Sequence, residues 1–388
     1  MKRILAFILA AVTLLSLSGC SHKVTDPMAY PDYTFEGTPD TTQLRETAVK
    51  AMYDILTIQW YIENDIEYIH NPKKRAIAFE KNKTYAGVLY TKASTGLFQF
   101  FEYYNQDTGC LEYYGTADEL KLELGSACAD TLLWAWSTVC NSVSDGFYPI
   151  MMVPSNGFIP VGDYTIPEYI DSFHEYPSYA IIENTPEQVI YDAYAKSLPA
   201  DALVSNKGDH AMMVVSNPTV VYLSDNAIDP EASFLLIQDQ RTGNREGTFN
   251  AETLPMMGRI NTKVTFKELY EEKYIPLTAA EFIGEKPYDK ATVTVSQTEC
   301  PNLNALKDIT VESNYPLAVI NIIATDTEGT QTILARKLFN GSAARGVPRS
   351  FNLSELNPQT LSPATGSVIQ LEVVVSTGER FYPIEFTV

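Results

Sequence analysis

The chain has little positive charge, few histidines and no pair of cysteines at metal-binding spacing. Its 28 lysines and arginines stand against 48 aspartates and glutamates, a formal net charge of −20. Such an excess of carboxylates repels a phosphate backbone and gains little from anionic lipid headgroups. Nucleic acid is therefore excluded as a partner, and charge cannot hold the chain at a membrane. The histidines are scattered at positions 22, 70, 174 and 210, and no Cys-x-x-Cys occurs among the five cysteines. No zinc pattern results, so the sequence implies no metal and no cofactor. Nor do five cysteines in 388 residues make a disulfide framework. The N-terminal apolar run extends only from Ile4 to Leu15, short of the ~20 residues that a membrane-spanning helix needs.

That run follows Lys2 and Arg3 and leads to Leu17-Ser18-Gly19-Cys20. A basic start, a short apolar stretch and small residues before a cysteine resemble a bacterial lipoprotein signal. The resemblance implies cleavage before Cys20, lipid on the Cys20 sulfur and amine, and an extracytoplasmic protein that meets the membrane only through that lipid. Residues 1–19 are then the signal and 20–40, with Pro27, Pro31, Gly37 and Pro39, a tether. With 45% apolar residues, enough chain remains for two domains, 41–288 and 289–388.

In the first of these, Leu44, Val49, Met52, Ile55 and Leu56 form the stripe of an amphipathic helix over Thr41 to Ile58, capped by Asp40 or Thr42. Gly125-Ser126-Ala127-Cys128 then runs into Leu132-Leu133-Trp134-Ala135-Trp136. With Ser126 as cap, Cys128 lies in a first helical turn, where the positive end of the helix dipole favours thiolate over thiol. The aromatic stretch from Tyr85 to Tyr104 reads as core, and residues 142–184, rich in Pro, Gly and Tyr, read as an insertion forming a lid or rim. Thr185 caps a further helix. Strands follow over 198–204, 207–215, 219–223 and 233–240. Alternation puts His210, Met212 and Val214 on one face of theirs, and Gln238 and Gln240 on one face of theirs with Asp239 opposite. Cys128 and Cys140, twelve apart on one helix, cannot bridge; a Cys110–Cys140 pair stays open.

Nucleophilic catalysis by cysteine needs a thiolate, an imidazole to protonate the leaving group and a polar group to orient the imidazole. Cys128 and His210 are the candidates for the first two, with His174 as the rival histidine. Their order resembles the papain-like NlpC-type cell-wall cysteine peptidases and the related CHAP amidases. The family's Gly-Val-Pro-Tyr segment looks like Gly87-Val88-Leu89-Tyr90, its Asp-Cys-Ser-Gly like Ala127-Cys128-Ala129-Asp130, its Leu-x-Pro-Gly-Asp step like Leu198-Pro199-Ala200-Asp201, and its histidine strand like His210-Ala211-Met212-Met213-Val214. The resemblance implies an α+β fold with a papain-like core carrying an insertion. It also implies Cys128 as nucleophile, His210 as acid and base, Gln238 (with Gln240 or Asp239 as alternatives) as the orienting group, and Tyr90 with the Cys128 N–H for the oxyanion. The substrate it implies is a peptide bond in peptidoglycan. From Ala291 the chain changes to short alternating strands with turns at Glu328-Gly329 and Thr377-Gly378, the pattern of an immunoglobulin-like or fibronectin-like sandwich. Two other readings stand beside this one. The protein is an inert surface lipoprotein whose sandwich binds wall polymer or glycan, or it is transglutaminase-like, with His174 and Asp192 as partners of Cys128.

Overall fold

The computed structural model describes residues 30–35, 37–70, 75–91, 95–112, 124–143, 152, 156–166, 177–207, 209–241, 258–339 and 348–388. Cys20 with its signal, His22 and His174 lie outside them. The amphipathic stripe forms α1 (Pro39–Thr57). It starts before Thr41 because Thr38 is the cap: its hydroxyl accepts the Thr41 N–H at 3.4 Å, and Pro39 follows, where its missing N–H costs nothing. The buried face, with Ala48, Val49, Met52 and Leu56, joins the largest apolar core. Residues 30–35, expected as tether, lie against this helix. Tyr30 meets Tyr33 and Tyr53 edge-on at 5.5 and 5.1 Å.

Three small antiparallel pairs follow: β1 (Gln59–Trp60) with β4 (Tyr85–Ala86), β2 (Ile66–His70) with β3 (Arg75–Phe79), and β5 (Tyr104–Asn105) with β6 (Cys110–Leu111). They flank α2 (Leu97–Phe101). Trp60, Phe79 and Tyr85 are packed ring on ring at 4.8 to 5.2 Å, so these aromatics are core.

The main sheet is antiparallel and six-stranded. Its strands are β7 (Ile159–Pro160), β8 (Ala202–Ser205), β9 (His210–Val214), β10 (Phe234–Gln240), β11 (Gly258–Thr265) and β12 (Ile275–Thr278), in the order β11-β10-β9-β8-β12-β7. The helix α3 (Cys128–Trp136), buried at every residue, packs on β9 and β10 beside α1. Shorter helices α4 (Pro177–Glu183), α5 (Glu187–Lys196) and α6 (Phe266–Glu271) complete this body. Pro186, not Thr185, takes the cap position of α5, and the Thr185 hydroxyl donates back to the Ile181 carbonyl at 2.7 Å.

Some expectations change here. The described part of 142–184 is no mere decoration: it supplies edge strand β7, Phe158 lies 5.7 Å from the Trp136 ring, and the Tyr164 hydroxyl donates to the Pro276 carbonyl at 2.6 Å. The strand expected over 219–223 is an exposed arm held by isolated pairings, Thr219 with Phe234 and Tyr222 with Ile228. Cys110, Cys128, Cys140 and Cys300 are all free thiols, so the Cys110–Cys140 bridge is not formed.

Beyond residue 290 the chain makes two antiparallel sheets. One has the order β13 (Val293–Val295), β14 (Thr310–Ser313), β17 (Ser350–Asn352); the other runs β16 (Gln331–Leu338), β15 (Leu317–Thr325), β18 (Val368–Val375), β19 (Arg380–Thr387). Val311 and Phe351 of the first share an apolar core with Ile320, Ile322, Leu371 and Val373 of the second. The whole is thus mixed α and β with antiparallel sheets. This unit packs on the C-terminal end of α3. Ser376 Oγ donates to the Ser137 carbonyl at 2.7 Å, Arg349 Nη2 to that of Asn141 at 3.0 Å, and Ala318, Val319 and Val374 join the cluster of Trp134 and Phe100. Among the described residues no helix is long and apolar enough to cross a membrane.

Gly125 holds the approach to α3. Its φ of +115° is a glycine conformation, and a Cβ there would sit 2.5 Å from the Leu89 carbonyl oxygen and 2.6 Å from Thr91 Oγ1. Gly125→Ala is expected to destabilise the protein by ~3 kcal/mol or more in urea unfolding. An unchanged midpoint would show that the segment yields at no cost.

Candidate functional site

The N-cap of α3 is Ala127, one residue after the expected Ser126. Alanine has no side-chain acceptor. Instead, Asp130 Oδ2 reaches back to accept the Ala127 N–H at 3.3 Å, while the Ser126 hydroxyl is buried with no hydrogen-bond partner among the described residues. The ladder of α3 begins with Thr131 N–H on the Ala127 carbonyl at 2.9 Å, so the Cys128 N–H precedes the first intrahelical bond. Cys128 thus stands in the first turn, as its sequence context predicts, with Sγ 3.7 Å from the Asp209 carbonyl oxygen.

Tyr90 arrives through Gly125. The Ser126 N–H donates to the Leu89 carbonyl at 2.7 Å, and the Gly125 carbonyl accepts from Thr95 N–H at 2.6 Å, which lays residues 89–91 along the entry to α3. The Tyr90 hydroxyl hydrogen-bonds the Cys128 sulfur. Burial first, and then the charge of that sulfur, hold the phenol well above its ordinary pKa, so it remains a donor.

His210 begins β9 and pairs with Ser205 at the closed end of the β8–β9 hairpin. Asp209 before it takes a left-handed φ of +47°, which turns the chain into the strand. His210 Nε2 lies 2.6 Å from Asp239 Oδ2, which leaves Nδ1 as the ring nitrogen that the carboxylate does not engage, and the charge of the Cys128 sulfur acts on the ring. Burial works against the imidazolium. The Cys128 sulfur and the Asp239 carboxylate outweigh it and push the ring's pKa up to about 9.

Gln238 is not the orienting group. The amide Nε2 of Gln238 donates to the Val49 carbonyl of α1 at 2.9 Å, and that of Gln240 donates to the Val88 carbonyl. Strand register explains this. Ile237 lies opposite Val214 and Gln238 opposite Met213, so the next step sets Asp239 against Met212, the residue that shares a face with His210. Asp239 takes the place expected for Gln238. It has no solvent exposure and also receives Arg259 Nε on Oδ1 at 2.9 Å, Arg259 Nη2 on Oδ2 at 2.8 Å and Arg241 Nε on Oδ2 at 2.9 Å. Burial alone would raise its pKa, but His210 and Arg259 hold it well below the usual carboxylate range.

The site therefore brings together Cys128, His210 and Tyr90, replaces Gln238 by Asp239, and adds Arg241 and Arg259, which nothing in the sequence pattern singled out. Asp192 is elsewhere, on α5, accepting from Gln188 Nε2 at 3.1 Å. Among the described residues, no group of three or more His, Cys, Asp or Glu is placed to hold a metal ion. No family model matches the chain, and neither curated proteins nor solved structures give a match. A cysteine at a helix start, an imidazole on its sulfur and a carboxylate behind the imidazole are the parts that acyl transfer through a thioester requires.

The roles of the two neighbouring residues separate in a titration of the His210 ring followed by NMR. The Asp239 carboxylate stabilises the imidazolium, so Asp239→Asn moves the midpoint down from about 9 towards the ordinary value. Gln238→Ala leaves the midpoint in place and costs ~0.5–1.5 kcal/mol of stability through the lost hydrogen bond to the Val49 carbonyl. The reverse pattern would restore Gln238 as the partner.

Proposed function

We propose that the chain is a lipid-anchored extracytoplasmic cysteine peptidase or amidase of the papain-like NlpC type, cleaving an amide bond in peptidoglycan stem peptides. The observation that carries the reading is the grouping of the Cys128 sulfur, the His210 ring and Asp239, with His210 Nε2 2.6 Å from Asp239 Oδ2 and the sulfur at the start of a helix. A helix packed on an antiparallel sheet whose second and third strands supply the imidazole and its partner fits the papain-like core. So does Ala200, which takes a left-handed φ of +76° where the family carries glycine. The C-terminal sheets of three and four antiparallel strands are then an immunoglobulin-like domain. The wall as substrate follows from the lipoprotein-like start at Cys20.

In this mechanism the Cys128 thiolate attacks the amide carbonyl carbon and the carbonyl π pair moves to oxygen. The Cys128 N–H and the Tyr90 hydroxyl receive that oxyanion. The C–N bond breaks as the His210 imidazolium gives its proton to the departing amine, leaving a thioester on Sγ. Neutral His210 then takes a proton from water, the hydroxide attacks the thioester, and the thiolate and imidazolium are restored. Asp239, already bonded to Nε2, keeps Nδ1 aimed at the sulfur throughout.

A second reading, transglutaminase-like, is favoured by one observation: the third group is an aspartate, carried by Asp239 rather than Asp192 and paired with His210 rather than His174. There the thioester passes to an amine instead of water. Incorporation of a labelled primary amine into a glutamine peptide, without release of free acid, would choose it.

Digestion of purified sacculi tests the main reading. Wild type is expected to release muropeptides, and Cys128→Ala and His210→Ala to lose ~10³-fold or more of that activity. No release by wild type would leave the inert wall-binding protein, and equal release by wild type and Cys128→Ala would remove Cys128 as the nucleophile. Tyr90→Phe is expected to lower kcat ~10²-fold. An unchanged kcat would remove Tyr90 from the oxyanion site.

A further inference from the structure

Asp239 has more partners than the orientation of a histidine requires, and one of them is placed by a local break in the sheet. Along β10 and β11 the register runs Leu235 with Val264, Leu236 with Lys263 and Ile237 with Thr262. Continued, it would set Ile260 against Asp239. Between Ile237 and Asp239 the register shifts, and Arg259 stands opposite Asp239 instead. The additional residue lies on β11, where Asn261 takes a left-handed φ of +48°. This is a β-bulge, the device by which a strand re-aims one side chain. Here it exchanges an isoleucine for an arginine at the carboxylate behind His210.

We propose that Arg259 is a positioning residue for the Cys128–His210 pair, delivered by this bulge. Its planar fork holds both oxygens of Asp239, by Nε on Oδ1 at 2.9 Å and Nη2 on Oδ2 at 2.8 Å. With two parallel bonds the carboxylate cannot rotate about its terminal torsion, so Oδ2 stays in line with His210 Nε2. Arg241 shares Oδ2 through a single Nε contact and cannot fix the plane alone. The fork also supplies a positive charge behind the imidazole. A bare buried aspartate would bind a proton-bearing ring too tightly for it to give the proton up, and the guanidinium opposes this.

The inference rests on the reading of Cys128 and His210 as the reacting pair, and its test uses no substrate, so it fails or stands apart from any result with sacculi. The other titratable or charged groups at the pair are Cys128 and Asp130 of α3, Tyr90, Asp209, Tyr274 and Arg241, and all remain in each variant. Titration of the His210 ring by NMR is measured with alkylation of Cys128 by iodoacetamide at pH 7 in the full chain. Arg259→Gln removes the opposing charge and is expected to raise the His210 midpoint by ~1 unit. Arg259→Lys keeps the charge but loses the fork, so its midpoint should stay near wild type while alkylation slows ~10-fold as the ring loses its aim at the sulfur. A wild-type midpoint in a folded Arg259→Gln, or wild-type alkylation in Arg259→Lys, overturns the proposal. Should Arg259→Gln fail to fold, the Arg259→Lys alkylation rate decides alone.

Discussion

A carboxylate shut away from water stays charged only if its neighbours supply what water would have supplied. Asp239 is such a group, and the geometry of the site follows from how its charge is met. Desolvating an ion costs several kcal/mol, and only close, well-aligned partners offset it. Those partners come from the two strands neighbouring β10 and from the residue after β10: His210 from β9, Arg259 from β11 and Arg241 just past Gln240. The same bonds that make the charge tolerable also tie the strands together beside Cys128. Loss of any one partner leaves the carboxylate under-satisfied, so the electrostatics of the site and the integrity of this part of the sheet are one property.

A comparable economy governs the turn before β8. Arg45, buried on α1, donates to the Pro199 carbonyl at 2.6 Å and to Asp201 Oδ1 at 2.8 Å. That pair fixes the step that leads into the β8–β9 hairpin and hence the place where His210 emerges. Breaking a buried pair of this kind costs ~3–5 kcal/mol. Two buried ion pairs, one at each end of the hairpin's path, thus locate a single imidazole.

Much of this was legible beforehand, and the reasons for the remainder are physical. Cys128 could be placed because a helix start is written locally, in an apolar run after a glycine. His210 could be placed because it opens a strand behind a charged turn. The choice between Gln238 and Asp239 lay beyond the sequence for a specific reason: alternation tells which residues of one strand share a face, but not which face of the next strand they meet. That depends on register, a pairing between residues far apart in sequence, and one step changes Gln238 for Asp239. Arg259 was further out of reach, since its position depends on a bulge in a polar strand, β11, whose alternation gives no strong signal. The cap of α3 misled by one residue because a serine was available and the chain used alanine with an aspartate reaching back.

The bonds between the C-terminal sheets and the far end of α3 have a consequence for how such a chain could change in evolution. The Ser137 and Asn141 carbonyls beyond the end of α3 find their donors in Ser376 and Arg349, and the Trp134 flank is covered by Val319 and Val374. Without those sheets, carbonyl groups and an apolar flank that have been closed would be opened to solvent. The C-terminal unit is therefore part of what closes the far end of α3. A change on one side of the seam thus constrains what the other side can accept.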